Sequence, residues 1–273
     1  MRSPGEVPDA PDRSEPQLTR RSGHHGCERI VVEGFPLDAI DPETALEVVL
    51  QRAEQRVPCS IHLVNSYTLA LAAQDSATAT AIRSGDLNLP DGAPVAWLCR
   101  ALGAPSGRPV PGPDLMEAVL SASNRLRHFF YGSTDEVLRG LQQEVQNHLG
   151  ATVAGSFAPP FREPDEESVE QLAQMVAASE ADLVWVGLGT PRQDLFLEAA
   201  KHAVEVPLIA VGAAFDFHAG ESRRAPRLLR GTGLEWIHRL LTEPRRLWRR
   251  YLVFGPRFLV LAARALLDRR GAH

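Results

Sequence analysis

The strongest constraint on this chain is a unit that it repeats: a short apolar run that stops at a glycine or asparagine and feeds straight into a helical pattern. His128-Phe129-Phe130-Tyr131-Gly132 is followed by a helix expected from Asp135 to Leu149, and Asp182 to Gly187 by one from Arg192 to Val204. Ser60-Ile61-His62-Leu63-Val64 ends at Asn65, and Ala151 to Ser156 and Leu208 to Val211 are further buried-strand candidates. Helices are also expected from Pro42 to Arg56 with Asp41 as N-cap, from Thr68 to Ser84, from Val95 to Leu102 and from Glu166 to Ser179. Apolar strands separated by crossover helices form parallel sheets, so the expected fold class is α/β, a Rossmann-like parallel sheet flanked by helices.

The chain divides by composition. Residues 1–27, with Pro4, Pro8, Pro11 and Pro16 among charges, show no apolar periodicity and are expected to be a disordered leader. Residues 28–233 hold the sheet, and 234–273 form an Arg-rich helical appendage. Cys27, Cys59 and Cys99 lack C-x-x-C spacing, which disfavours a disulfide framework or a zinc site. No secretory signal and no run of about 18 apolar residues is present, so neither export by that route nor a membrane-spanning helix is expected.

The net charge of −5 hides an asymmetry: residues 1–220 carry −14, whereas residues 221–273 carry +9, with 13 arginines and no lysine. Guanidinium groups match phosphate geometry, so a phosphate-bearing partner is implied, with nucleic acid, anionic lipid and nucleotide diphosphate all admissible on charge alone. A helical wheel from Arg245 gathers Arg245, Arg246, Arg249, Arg250, Arg257 and Arg264 within about 140°, opposite Leu247, Trp248, Tyr251, Phe254, Phe258 and Leu259, with a bend allowed at Pro256. Such a basic amphipathic helix either packs on the sheet or lies on anionic lipid; its apolar side favours lipid over nucleic acid.

Three strand exits hold candidate chemistry. Leu87-Asn88-Leu89-Pro90-Asp91-Gly92 puts a carboxylate in a turn, where it is either a plain turn residue or a general base reachable from solvent. Asn65 either caps the next helix or offers its amide to a ligand. Val186-Gly187-Leu188-Gly189-Thr190-Pro191-Arg192-Gln193-Asp194 is a Gly-rich turn into a helix, where exposed amides would favour an anion. It is not G-x-G-x-x-G, because Arg192 occupies the third glycine position, nor is it a P-loop. The chain contains no D-x-D, so arginines would have to neutralise a diphosphate.

Taken in order, Asn65, Leu89-Pro90-Asp91-Gly92, Gly112-Pro113-Asp114-Leu115, Val186 to Gln193, Gly212-Ala213-Ala214-Phe215-Asp216, Arg224-Ala225-Pro226 and Gly233 to Leu240 with Glu243-Pro244 resemble the WecG/TagA/CpsF glycosyltransferases from about Arg29 to Arg250. The resemblance implies transfer of a sugar from a UDP-sugar to a polyprenyl-diphosphate-linked acceptor in cell-surface polysaccharide or teichoic acid assembly, at the cytoplasmic face of the membrane, with self-association possible in relatives. It implies Asp91 as general base, Asn65 and Gln193 lining the pocket, and Asp216 holding the nucleotide. Gly187, Gly189, Arg108 and Arg224 would contact substrate, and Arg239, Arg246 and Arg249 would neutralise the leaving diphosphate without a metal. No cofactor is implied. The chain departs from the family at Leu63, where Thr is frequent, at Pro109, where Arg is usual and Arg108 stands one residue away, and at Asp194 in place of Glu. The competing reading is a non-catalytic membrane-surface or partner-binding α/β protein that keeps the fold.

Overall fold

The structure is a computed structural model and describes residues 28–220, 240–242 and 244–271. The expected leader over 1–27 and the expected boundary at 233 lie outside the described residues.

The chain opens with a hairpin, β1 (Glu28–Val32) and β2 (Phe35–Ala39), paired antiparallel. Glu33 and Gly34 between them both have positive φ, 50° and 81°, as tight hairpin turns require. Helix α1 (Pro42–Glu54) starts where its sequence says: Asp41 accepts from Thr44 N at 2.7 Å, and Pro42 needs no N–H partner in the first turn. Then follow β3 (Ser60–Val64), α2 (Ser66–Ala72), α3 (Ser76–Arg83), β4 (Leu87–Pro90), α4 (Ala93–Ala101) and α5 (Gly112–Ala122). The second half runs β5 (Arg127–Gly132), α6 (Asp135–Glu144) extended by a π-helical turn to Leu149, β6 (Thr152–Phe157), α7 (Glu166–Ser179), β7 (Leu183–Gly187), α8 (Arg192–Ala200), β8 (Leu208–Ala210) and α9 (Ala214–His218).

The six later strands form one parallel sheet in the order β4-β3-β8-β7-β5-β6, flanked by helices on both faces, as expected. Every residue of β3 is buried, the signature of a parallel strand covered on both sides. One face packs Ile61, Leu63, Leu89, Phe130, Trp185 and Ile209 under α1, α5, α6 and α9. The other packs Tyr131, Val184, Val186, Leu208 and Ala210 under α7 and α8. A third cluster joins the hairpin to α2, α3 and α4. The hairpin also covers the sheet's β4 edge. Buried Asp38 holds Arg29 with both oxygens, at 2.7 and 3.0 Å, and accepts from Asn88 N at 2.8 Å.

Three expectations need correction. The helix expected from Thr68 to Ser84 is two helices, because Asp75 caps a new start by accepting from Thr78 N at 2.8 Å. Helix α5 and strand β2 were not anticipated: Gly112-Pro113 and Phe35-Pro36-Leu37-Asp38 read as breaker and loop sequence. The third concerns the C-terminal wheel. There, α10 (Pro244–Trp248) passes through a π-helical turn, Arg249–Val253, into α11 (Phe254–Gly271). Leu247 and Phe258 are buried with Leu261, whereas Trp248 and Leu259, each about 100° further round the wheel, are exposed rather than part of the packed side. Pro256, where a bend was allowed, lies three residues after the π-helical turn, and its ring nitrogen has no N–H to offer the preceding turn. No helix among the described residues is long and apolar enough to cross a membrane.

His128 is fully buried in β5 and accepts from Trp185 Nε1 at 3.2 Å through Nδ1. Burial pulls its pKa down to about 4. Between the ordinary value near 6.5 and 4, the unfolded chain therefore binds a proton that the folded chain refuses, and stability falls as pH falls through that window. Denaturant titrations at pH 7 and pH 4.5 are expected to show the wild type losing about 2 kcal/mol more than His128→Asn; equal losses would contradict a neutral buried imidazole.

Candidate active site at the carboxyl edge of the sheet

The strands β3, β4, β8 and β7 point their carboxyl ends at one edge, the place where open parallel sheets bind ligands. Asn65 follows β3 and is the N-cap of α2, the first of its two expected roles. Its Oδ1 accepts from Tyr67 N at 3.1 Å and Thr68 N at 3.2 Å, while its Nδ2 donates to Asp91 Oδ2 at 3.2 Å. Asp91 follows β4. Its own N–H is bound to Val64 O at 2.9 Å, and Gly92 at φ 84° turns the chain into α4, leaving the carboxylate half-buried at the rim. One amide thus aims the carboxylate and closes a helix.

The amino end of α5 is brought to the same edge because Gly112 approaches the Val211 carbonyl so closely that a Cβ there would lie 2.7 Å from its oxygen. Beyond β8, Asp216 is half-buried in the first turn of α9. Among the described residues, no group of three or more His, Cys, Asp or Glu side chains could hold a metal ion.

The glycine exits differ from the expectation of exposed amides. Gly189 N and Gly212 N both donate to Gln193 Oε1, at 3.1 and 3.0 Å, and Gln193 is only 3% exposed. These two N–H groups are therefore satisfied internally, and Gln193 ties two loops together where the resemblance implied a pocket lining. A Cβ on Gly189 would meet nothing within 4 Å, so the space above this loop is open, whereas Gly187 lies against the Phe215 ring.

Sequence reasoning missed His62. It is fully buried in β3, and its Nδ1 donates to Asp194 Oδ1 at 2.9 Å, pinning α8 to the sheet directly beside Gln193. The shorter side chain at 194 fits this contact. The available signal was an imidazole inside a five-residue apolar run together with Asp in place of the usual Glu.

The arginines are spread more widely. Arg108 pairs with Glu43 of α1 at 2.9 Å, with both side chains largely exposed. Arg249 is exposed on the π-helical turn, and Arg250, expected on the basic face but not among the site arginines, is half-buried with its guanidinium 5.2 Å from the centre of the Tyr67 ring. Arg224, Arg239 and the side chain of Arg246 lie outside the described residues. Past β7, Tyr131, Arg162, Leu188, Arg192 and Phe196 line a small hollow. At its mouth, Arg192 stacks on Phe161 with its guanidinium 4.0 Å from the ring centre.

Among characterised proteins, the N-acetylglucosaminyldiphosphoundecaprenol N-acetyl-beta-D-mannosaminyltransferase of Bacillus spizizenii (strain ATCC 23059 / NRRL B-14472 / W23) is 32% identical over 175 residues, 63% of this chain and 66% of that protein, just under two thirds of its length. The protein of the same name from Bacillus subtilis (strain 168) is 27% identical over 202 residues, 73% of this chain and 77% of that one. The model of the glycosyl transferase WecG/TagA/CpsF family matches residues 30–272, and the chain belongs to that family.

Proposed function

We propose that this protein transfers a hexose or N-acetylhexosamine from a UDP-sugar to a polyprenyl-diphosphate-linked acceptor, with Asp91 as general base. The observation that carries the reading is the carboxylate of Asp91, held by Asn65 at the rim where the strand exits meet. In the reaction, Asp91 takes the proton of the acceptor hydroxyl as its oxygen attacks the anomeric carbon, the glycosidic C–O bond breaks, and UDP leaves with the bonding pair. Negative charge grows on the diphosphate during this step. Fixed guanidinium groups among Arg224, Arg239, Arg246 and Arg249 stabilise it without a metal, each worth on the order of 10²-fold in rate. The names of the two relatives support an N-acetylhexosamine donor and a diphosphate-linked lipid acceptor. In this reading Asp216 and the hollow beside Arg192 take the nucleotide end.

Membrane docking completes the proposal. Trp248, Leu252, Leu259, Val260 and Leu267 are exposed, and Arg249, Arg257 and Arg264 are exposed among them. An apolar stripe edged with arginine suits the headgroup boundary of an anionic membrane, and a lipid acceptor would be presented there on the inner leaflet. The deciding experiment is a UDP-release assay over a panel of UDP-sugars with a synthetic lipid-diphosphate acceptor. Acceptor-dependent UDP release that survives chelation is expected. Silence across the panel would remove the transferase reading, and release that chelation abolishes would remove the metal-free one.

A further inference from the structure

An aromatic ring of α2 links the C-terminal helices to the candidate site. Tyr67 stands two residues after Asn65 in the first turn of α2, half-buried. The edge of its ring meets Phe254 of α11, with centroids 4.9 Å apart and planes at 88°. Arg250 lies over the Tyr67 ring at 5.2 Å, and Arg257 over the Phe254 ring at 5.0 Å. The result is a ladder, Arg250–Tyr67–Phe254–Arg257, in which two cations close an aromatic pair from both ends. Behind it, Phe258 and Leu261 are buried against the cluster that holds Leu69 of α2.

The backbone of Tyr67 is also part of the site's wiring. Its N–H and that of Thr68 fix Asn65 Oδ1, and the other end of the same amide holds Asp91. An amide group is rigid and planar, so rotating its oxygen moves its nitrogen. The first turn of α2 therefore sets where Asp91 points, and the ladder sets the first turn of α2.

We propose that Tyr67 is a positioning residue through which the seated C-terminal helices orient Asp91, with Arg250 as the cation that holds the ring in place. The inference rests on the transferase reading for its kinetic consequence but not for its structural one. It differs from leaving-group stabilisation by arginine because Arg250 acts through Tyr67 and need not contact substrate. An enzyme whose base is aligned only when its lipid-facing segment is packed would be poorly active whenever that segment is displaced.

The test uses the full chain with Tyr67→Leu, Tyr67→Phe and Arg250→Ala, read by amide hydrogen exchange, by UDP-binding stoichiometry and by steady-state kinetics. Tyr67→Leu and Arg250→Ala are expected to speed exchange at the Tyr67 and Thr68 amides by about fivefold or more while the sheet stays protected. In both, kcat is expected to fall by about tenfold or more with the donor KM within about twofold and UDP stoichiometry unchanged. Tyr67→Phe keeps the ring and should restore wild-type behaviour. Unchanged exchange in the Leu and Ala variants, or faster exchange throughout the sheet with lowered stoichiometry, would overturn the proposal, as would failure of Phe to rescue. Local exchange changes in an enzyme that releases UDP from no donor would instead overturn the transferase reading and leave the ladder standing.

Discussion

Asp91→Asn is expected to lower UDP-sugar turnover by about 10² to 10⁴-fold, the range over which a positioned general base contributes. The replacement is nearly isosteric, and its amide oxygen still accepts from Asn65 Nδ2, so the cap of α2 and the turn at Gly92 persist. What disappears is the capacity to take a proton from the acceptor hydroxyl. Folding stability, measured by denaturant titration, should change by no more than about 1 kcal/mol, as expected for one polar exchange at a half-buried position. Sedimentation with anionic vesicles should be unaffected, because the exposed stripe from Trp248 to Leu267 is untouched. Activity within tenfold of wild type would remove Asp91 as the base. A non-catalytic membrane-surface protein would show vesicle binding with no turnover to lose.

The largest stability effect is expected at Gly132, where β5 ends. Its φ is 130°, and a Cβ there would lie 2.6 Å from both the carbonyl carbon and the oxygen of Gly187, its register partner on β7. Those atoms are backbone in the centre of the sheet, with no flexible side chain to yield. Gly187 has little room to retreat, because a Cβ built on it would itself lie 2.6 Å from the Phe215 ring in α9. Gly132→Ala should therefore cost about 4 kcal/mol or more, the range reserved for strained backbone combined with overpacking. Gly189→Ala is the internal control: its φ is also positive, at 75°, but the added methyl would enter open space. That variant should lose about 1–2 kcal/mol. If urea midpoints for the two variants coincide, the close approach of β5 to β7 is not what fixes this edge.

These positions show which parts of the molecule were legible beforehand. The parallel strands could be read because residues buried on both faces leave continuous apolar runs, and Asp41 could be read because its cap bond spans three residues. The split at Asp75 was harder, since one carboxylate competed with a continuous helical pattern and won locally. Strand β2 was hidden because Pro36 and Asp38 look like loop residues; Asp38 binds Arg29 within the hairpin and also satisfies Asn88 N fifty residues away, a contact no local window contains.

The candidate site divides in the same way. Asn65 and Asp91 are placed by the ends of strands that periodicity finds, and the structure joins them. Gln193 was expected to line the pocket; its bonds to Gly189 and Gly212 could not be read beforehand because they depend on β7 and β8 being neighbours. His62 and Asp194 meet only after β3 and α8 pack. The C-terminal wheel drew its apolar side too broadly: Leu247 and Phe258 pack inward, whereas Trp248 and Leu259, about 100° further round, stay exposed, a division set by what packs against the helix rather than by its own sequence.

The placement of β8 has a consequence for biosynthesis. This strand lies between β3 and β7, so Ser60 pairs with Leu208, and the middle of the sheet is filled by one of its last-translated pieces. While the ribosome is still short of residue 208, both neighbours of the gap present unpaired amides and carbonyls, a template for pairing with another nascent chain. Closure demands a contact across most of the polypeptide, which slows folding. Chaperone demand should consequently peak late in translation, and the candidate site at the carboxyl edge cannot assemble until that last wedge has slid home.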